Sequence, residues 1–168
     1  MENTKAVILS IAAFISLAII IMVIQFLSRK LKNKSHEDGK IKLSFGIWFS
    51  TFFLSASLIM ARTIVVFGEA VDNVYKITPD RGLFESFKKG SLFIGLSILW
   101  LLIWYIAVNR LSYLVMGKRK PANEIDIDNY TFFIVRGILL IGFTICLLPA
   151  FDIILREFIP SVQIPFYH

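Results

Sequence analysis

Four ionisable side chains, Arg62, Arg110, Arg136 and Asp152, stand inside long apolar stretches of this chain. A charge is costly in lipid, so such groups pair with one another, face a wet cavity or reach the headgroups. Arg62 and Asp152 fall at similar depths of their stretches. That permits an ion pair, between helices or between subunits, that breaks when the membrane is perturbed. Snorkelling of both side chains is the plainer reading, and Arg156, one turn beyond Asp152, is a local alternative partner. Arg136 lies six residues, about 9 Å, inside its stretch. It suits an anionic lipid headgroup or a loop carboxylate such as Asp128. Asn109 and Arg110 sit at the same depth and can share that site.

The remaining chemical inventory is thin. The sequence has no phosphate-binding loop, no His-Glu-x-x-His, no Gly-x-Ser-x-Gly and no second cysteine beside Cys146. His36, Glu37 and Asp38 are three ligand types in a row, but adjacent residues rarely converge on one ion. His168 is far away in sequence. A stripe of buried acids of the kind a proton- or sodium-coupled transporter needs is missing. We therefore expect no catalytic residue, no metal and no cofactor, and a chain that is not an enzyme.

The elements that must carry these residues follow from composition. The 168 residues are 57% hydrophobic and 18% charged, against roughly half and one quarter in a soluble domain. The mean hydropathy is +0.72. The charges are clumped, leaving four apolar runs at 6–28, 43–67, 91–116 and 130–155. Each is long enough to span the hydrocarbon core, which takes about 20 residues as a helix. Helices satisfy their own backbone hydrogen bonds in lipid, whereas four strands cannot close a barrel. The expected fold is all-α: one polytopic domain over 1–168, four transmembrane helices in a bundle. The two helix–basic loop–helix halves suggest a tandem two-helix repeat. The first run lacks a small-residue cleavage site and reads as a retained membrane helix. Ala12-x-x-x-Ser16, Ser50, Ser57-x-x-x-Ala61, Gly137 and Gly142 offer small faces for close helix packing. Trp48, Trp100, Trp104 and Tyr105 read as lipid-facing or interfacial aromatics.

The connections differ in character. Residues 68–90 form the longest one. Within it Thr78-Pro79-Asp80-Arg81 reads as a helix start, and Leu83, Phe84 and Phe87 share a face, which predicts a short amphipathic helix on the outer surface. The alternative is that the third helix begins early. Loops 29–42 and 117–129 hold nine lysines and arginines against six at the other ends of the helices (Lys5, Lys76, Arg81, Lys88, Lys89 and Arg156), so the positive-inside rule puts these loops in the cytoplasm and both termini outside. The net charge of +6 is concentrated there and attracts anionic lipid rather than nucleic acid. These loops are also the surfaces on which a cytosolic protein can dock. The candidates are Lys30, Lys32, Lys34, Lys118, Arg119, Lys120, Glu124, Asp126 and Asp128. Ile125 and Ile127 alternate with acids there, a pattern that suits pairing with another protein's strand edge.

Four spans, short loops, no enzyme motif and a Lys-, Ile- and Phe-rich composition resemble the small inner-membrane subunits of bacterial antiphage systems, the Kiwa-type membrane subunit in particular. The resemblance covers the whole chain through its layout. It implies a bacterial inner-membrane protein that assembles with itself as a homotetramer, senses phage attachment or injection, and holds a cytosolic effector. A homo-oligomeric pore that depolarises the membrane is the second expectation. It calls for a polar, lumen-facing helix, and the second helix, with Ser50, Thr51, Ser55, Ser57 and Thr63, comes nearest.

Overall fold

The computed structural model describes residues 2–32, 36–37 and 40–161, without the side chains of residues 2, 30, 32, 36 and 37. Helix α1 covers Glu2–Lys32, α2 Leu43–Ile77, α3 Gly82–Met116, α4 Pro121–Asp126 and α5 Tyr130–Arg156. Two-residue strands β1 (His36–Glu37) and β2 (Lys40–Ile41) pair antiparallel between α1 and α2. α1, α2, α3 and α5 are long and apolar enough to cross a membrane. The fold is an all-α polytopic bundle. The two halves differ in their connections, a β ladder in one and α4 in the other.

α2 is the hub. It packs against α1, α3 and, most extensively, α5. The chain crosses back and forth, so α2 and α5 run parallel, while α1 and α3 run against them. The core is built from rings: Phe52 on α2, Phe93 on α3, and Phe133 and Phe151 on α5 are fully enclosed. Outward positions of α1, among them Phe14, Met22 and Phe26, are exposed apolar groups, as expected of a lipid-facing side. On its other face Ala12 and Ser16 are buried, so that small pair packs within the protomer.

The expected outer loop with its separate amphipathic helix is not formed. α2 runs on to Ile77, a 3-10 turn occupies Pro79–Arg81, and α3 starts at Gly82. Thr78 is the end of α2 rather than a cap for the next helix: its hydroxyl and its N–H both donate to the Val74 carbonyl. Leu83, Phe84 and Phe87 are exposed, but on the first turns of a helix that never stops. The physical reason lies at Gly90, which packs on the Phe67 ring and holds α3 against the extended α2. At 35 residues each, α2 and α3 are about 52 Å long. The hydrocarbon core is about 30 Å, so the α2–α3 hairpin projects well beyond it.

The alternating pattern at 125–128 does not form a strand edge. Pro121 opens α4 at its first turn, and Ile125 is completely buried while Ile127 is exposed. The apolar–acid alternation therefore marks one inward and one outward position of a helical turn, not an edge. The aromatics are a further correction. Trp48 is buried; Trp100 stacks on Phe151 at 5.2 Å and Trp104 on Phe143 at 5.7 Å, so these rings join α3 to α5 instead of facing lipid alone.

Candidate functional site

Three polar centres lie along the bundle, one at each end and one between. At the end remote from the basic loops, α2 and α5 are joined by a chain of four charges. Arg62 Nε donates to Asp152 Oδ1 at 2.7 Å. Asp152 Oδ2 accepts from Arg156 Nε at 3.0 Å. The two terminal nitrogens of Arg156 donate to the two carboxylate oxygens of Glu69 at 2.7 and 3.0 Å. The fork-to-fork geometry of that last pair is the strong form of the interaction. Two cations and two anions make the set neutral. The Arg62–Asp152 and Asp152–Arg156 pairings, read as alternatives from sequence, coexist because each uses a different carboxylate oxygen.

The same end is tied elsewhere. Lys5 of α1 pairs with Asp72 of α2. Asn73 donates to the Pro160 carbonyl, and Lys89 of α3 to the Phe158 carbonyl. One level inward, the Thr63 and Ser97 hydroxyls bond at 2.6 Å between α2 and α3. All four long helices are thus fastened to one another, directly or through the segment after α5. Glu69 escapes a reading in which the second helix ends at Phe67. It stands two turns beyond Arg62, on the same face of α2, and joins the set only because that helix continues.

At the opposite end, two of the acids of residues 117–129, Glu124 and Asp128, turn toward their own chain. Glu124 is buried, accepts from Asn129 Nδ2 at 2.6 Å and lies 3.6 Å from Arg119. Asp128 accepts from the Ser44 N–H at 2.9 Å, and Lys42 Nζ donates to the Asp126 carbonyl at 2.6 Å. Glu124 and Asp128 are therefore internal fasteners and drop out of the docking candidates. Asp126, Lys118, Arg119 and Lys120 remain exposed at this end. Lys34 and Asp38 lie outside the described residues, as do the side chains of Lys30, Lys32, His36 and Glu37 and the whole of His168.

Asp128 acts as a cap in trans. Lys42, at the start of α2, supplies no side-chain cap, and the carboxylate from the other side of the bundle takes its place. Asp128 has φ of 49°, a left-handed conformation that Asp and Asn tolerate better than other side chains do. The Ser44 side chain and then its N–H hold the Asp128 carboxyl below the ordinary carboxylate range, against the opposing effect of burial. The folded-state pKa is thus lower than the unfolded one. The stabilisation is complete above the ordinary value of 3.8 and is lost as pH falls through the lower, folded value. Asp128→Asn keeps an acceptor and the backbone conformation but not the carboxylate charge, so at pH 7 its melting temperature falls modestly and its acid sensitivity shrinks. Asp128→Ala loses both and costs about 1 kcal/mol, the usual worth of a cap. Thermal melts of the two variants at pH 7 and below pH 4 read this out.

The third centre is Arg136, between α2, α3 and α5. It does not snorkel. Its side chain is buried, with the guanidinium carbon 5.4 Å from the Tyr105 ring centre and 5.9 Å from that of Phe132. Asp128 is committed to Ser44 and does not pair with it. Arg110 is exposed, and neither it nor Asn109 bonds to Arg136. Gly137 meets Thr51 of α2, the close approach that its small size suggested. Ser50 and Ala61 face outward, so the small face expected on α2 is not the packing face.

No protein-family model matches the chain, and no curated protein or solved structure does.

Proposed function

We propose that this chain is a non-enzymatic membrane sensor and scaffold. The charged end responds to disturbance of the envelope, such as phage attachment, and the basic loops hold a cytosolic effector. The observation that carries this reading is the parallel α2–α5 pair. Its two helices are clasped by Arg62, Asp152, Arg156 and Glu69 at one end and by Asp128 and Ser44 at the other. A change of spacing at the charged end is passed by two stiff helices to the segment that carries Lys118, Arg119 and Lys120. By the positive-inside rule the basic end is cytoplasmic and the charged end lies outside a bacterial inner membrane. The resemblance to Kiwa-type membrane subunits adds an expectation of self-assembly, in which a ring of subunits presents several basic loops to one effector.

The pore reading is weaker on this geometry. Ser55 and Thr63 point into the protomer, and Ser50 is the one fully outward polar group among the five on α2. A ring of such helices offers little polar lining.

The test is the mass and composition of the complex extracted gently from the native host. The expected result is a homo-oligomer of this chain with a stoichiometric soluble protein. Reversing Lys118, Arg119 and Lys120 to glutamate is expected to release that protein while leaving the oligomer intact. A homo-oligomer that emerges alone and conducts ions in liposomes overturns the scaffold reading in favour of the pore.

A further inference from the structure

Lys88 and Lys89 stand near the start of α3, at the end of the bundle opposite the basic loops. Lys89 donates to the Phe158 carbonyl at 3.1 Å. Among the described residues no carboxylate pairs with either ammonium, Glu85 one turn earlier included. Their depth follows from the helix. From Lys89 to Arg110, α3 climbs about 31 Å, and the hydrocarbon core is about 30 Å thick. The two lysines therefore lie at the headgroup level of one leaflet, with Arg110 at that of the other. Below the lysines an open groove of about 520 Å³ runs down α3 past Leu92, Gly95, Leu96 and Leu99. It ends about 15 Å from Lys89, which is the bilayer midplane. The groove is thus as long as one leaflet is deep, cationic at its mouth and apolar below.

A second hollow, of about 120 Å³, opens between α1 and α3, which barely touch each other. Ala12 and Ile15 of α1 border it on one side, and Phe87, Gly90 and Ile94 of α3 on the other. Ser91 lines both hollows, one turn below Lys88. Two apolar hollows that meet beneath two cations match a molecule with one negative head and two apolar tails. An ammonium serves a phosphate as a point charge, and basic pockets between membrane helices suit anionic headgroups. We propose that Lys88 and Lys89 hold the phosphate of one anionic phospholipid, with its two acyl chains in the hollows that meet at Ser91. The lipid supplies the packing that α1 and α3 do not give each other. This site is distinct from the basic loops, and it rests on the membrane-spanning fold rather than on the sensor reading.

The experiment titrates the full, delipidated chain in detergent with phosphatidylglycerol, with phosphatidylcholine of the same chains and with lysophosphatidylglycerol. Native mass spectrometry counts the lipids retained. The expected result is one phosphatidylglycerol held several-fold more tightly than either of the other two. Lys88→Gln/Lys89→Gln lowers its retention several-fold, to the level of phosphatidylcholine. Because that variant also loses the bond from Lys89 to the segment after α5, Lys88→Gln alone is the second arm and is expected to lose part of the preference. Gly95→Phe keeps both charges and fills the groove. A Cβ at Gly95 meets nothing within 4 Å, so the bundle itself is undisturbed, and weaker retention with unchanged helix content is expected. Equal retention of phosphatidylglycerol and phosphatidylcholine by the wild type overturns the proposal, as does a preference that survives the lysine variants and Gly95→Phe. Equal retention of the one-chain and two-chain lipids overturns the pairing of the two hollows. Loss of the tight lipid on Lys118→Gln/Lys120→Gln assigns it to the basic end instead. A change of oligomer mass in Gly95→Phe, with lipid retention unchanged, makes the groove a contact between copies of this chain and likewise overturns it.

Discussion

Gly137→Val is expected to push α5 away from α2 and to lower the melting temperature of the membrane-embedded protein by several degrees. A Cβ on Gly137 would lie 2.4 Å from Thr51 Cγ2 and 2.9 Å from Thr51 Cβ. The second distance decides the outcome. A long side chain can swing its end away, but a Cβ moves only with its backbone. Thr51 is β-branched and stiff at its first torsion, and its hydroxyl is held by two carbonyls of its own helix. The helices must therefore separate, across the largest interface in the fold. Overpacking of this kind costs about 1–3 kcal/mol. Small residues at such contacts let helix backbones approach in lipid, where apolar burial gives no drive toward association. Thr51→Ala in the Gly137→Val background removes the worst contact but keeps the Cβ, so partial recovery is expected. Gly142→Ala is the control: nothing lies within 4 Å of its would-be Cβ. It should be neutral or stabilising by up to about 1 kcal/mol, the helix preference of alanine over glycine. Equal losses at Gly137 and Gly142 would show that the contact with Thr51 is not what glycine is there for.

The membrane-spanning character of the fold was readable because it rests on run length and clumped charge, which need no tertiary information. The cores of all four spans fall where the apolar runs place them. The ends do not, since a helix end is set by what the next turns touch. Glu69, Asp72 and Asn73 look like loop residues by polarity, yet each is helical because it finds a partner on α1, on α5 or just beyond α5. The same limit hides the Arg136 centre. Depth along a helix can be counted from sequence, but rotation about the axis is weakly marked when a helix is apolar nearly all round. Whether Arg136 faces lipid or Tyr105 is a question of rotation, and so is the inward turn of Trp48. The shared depth of Arg62 and Asp152 made a pair one option beside snorkelling and a local Asp152–Arg156 contact, and only the rotation of α2 and α5 decides for the pair.

Asp152→Asn is expected to be the most damaging single change in the charged clasp. Asp152 accepts from two arginines at once, Arg62 at 2.7 Å and Arg156 at 3.0 Å. Arg156 retains its two bonds to Glu69 when Asp152 is neutralised. Among the described residues Arg62 has no such second carboxylate in contact, and it is left beside another guanidinium. The balanced set of two cations and two anions then carries an excess positive charge at the edge of the bilayer. Asp152 is largely enclosed and Arg62 partly exposed, so removing the carboxylate alone leaves one cation beside another, whereas removing both charges does not. The double variant Arg62→Gln/Asp152→Asn leaves the neutral Arg156–Glu69 pair intact. Its melting temperature is therefore expected to lie above that of Asp152→Asn alone, a clear departure from additivity. Glu69→Gln should be milder than Asp152→Asn, because Arg156 still holds Asp152. The order of the three melts reports the wiring of the clasp, whatever the protein is for. Capture of a soluble partner from the host reports its purpose. If the clasp sets the resting state, Asp152→Asn should change the amount of partner retained without any envelope stimulus, and the double variant should change it less. Three variants that melt like wild type would mean that the four charges merely sit near one another. Altered melts with unaltered partner retention would keep the clasp as a structural device and remove it from signalling.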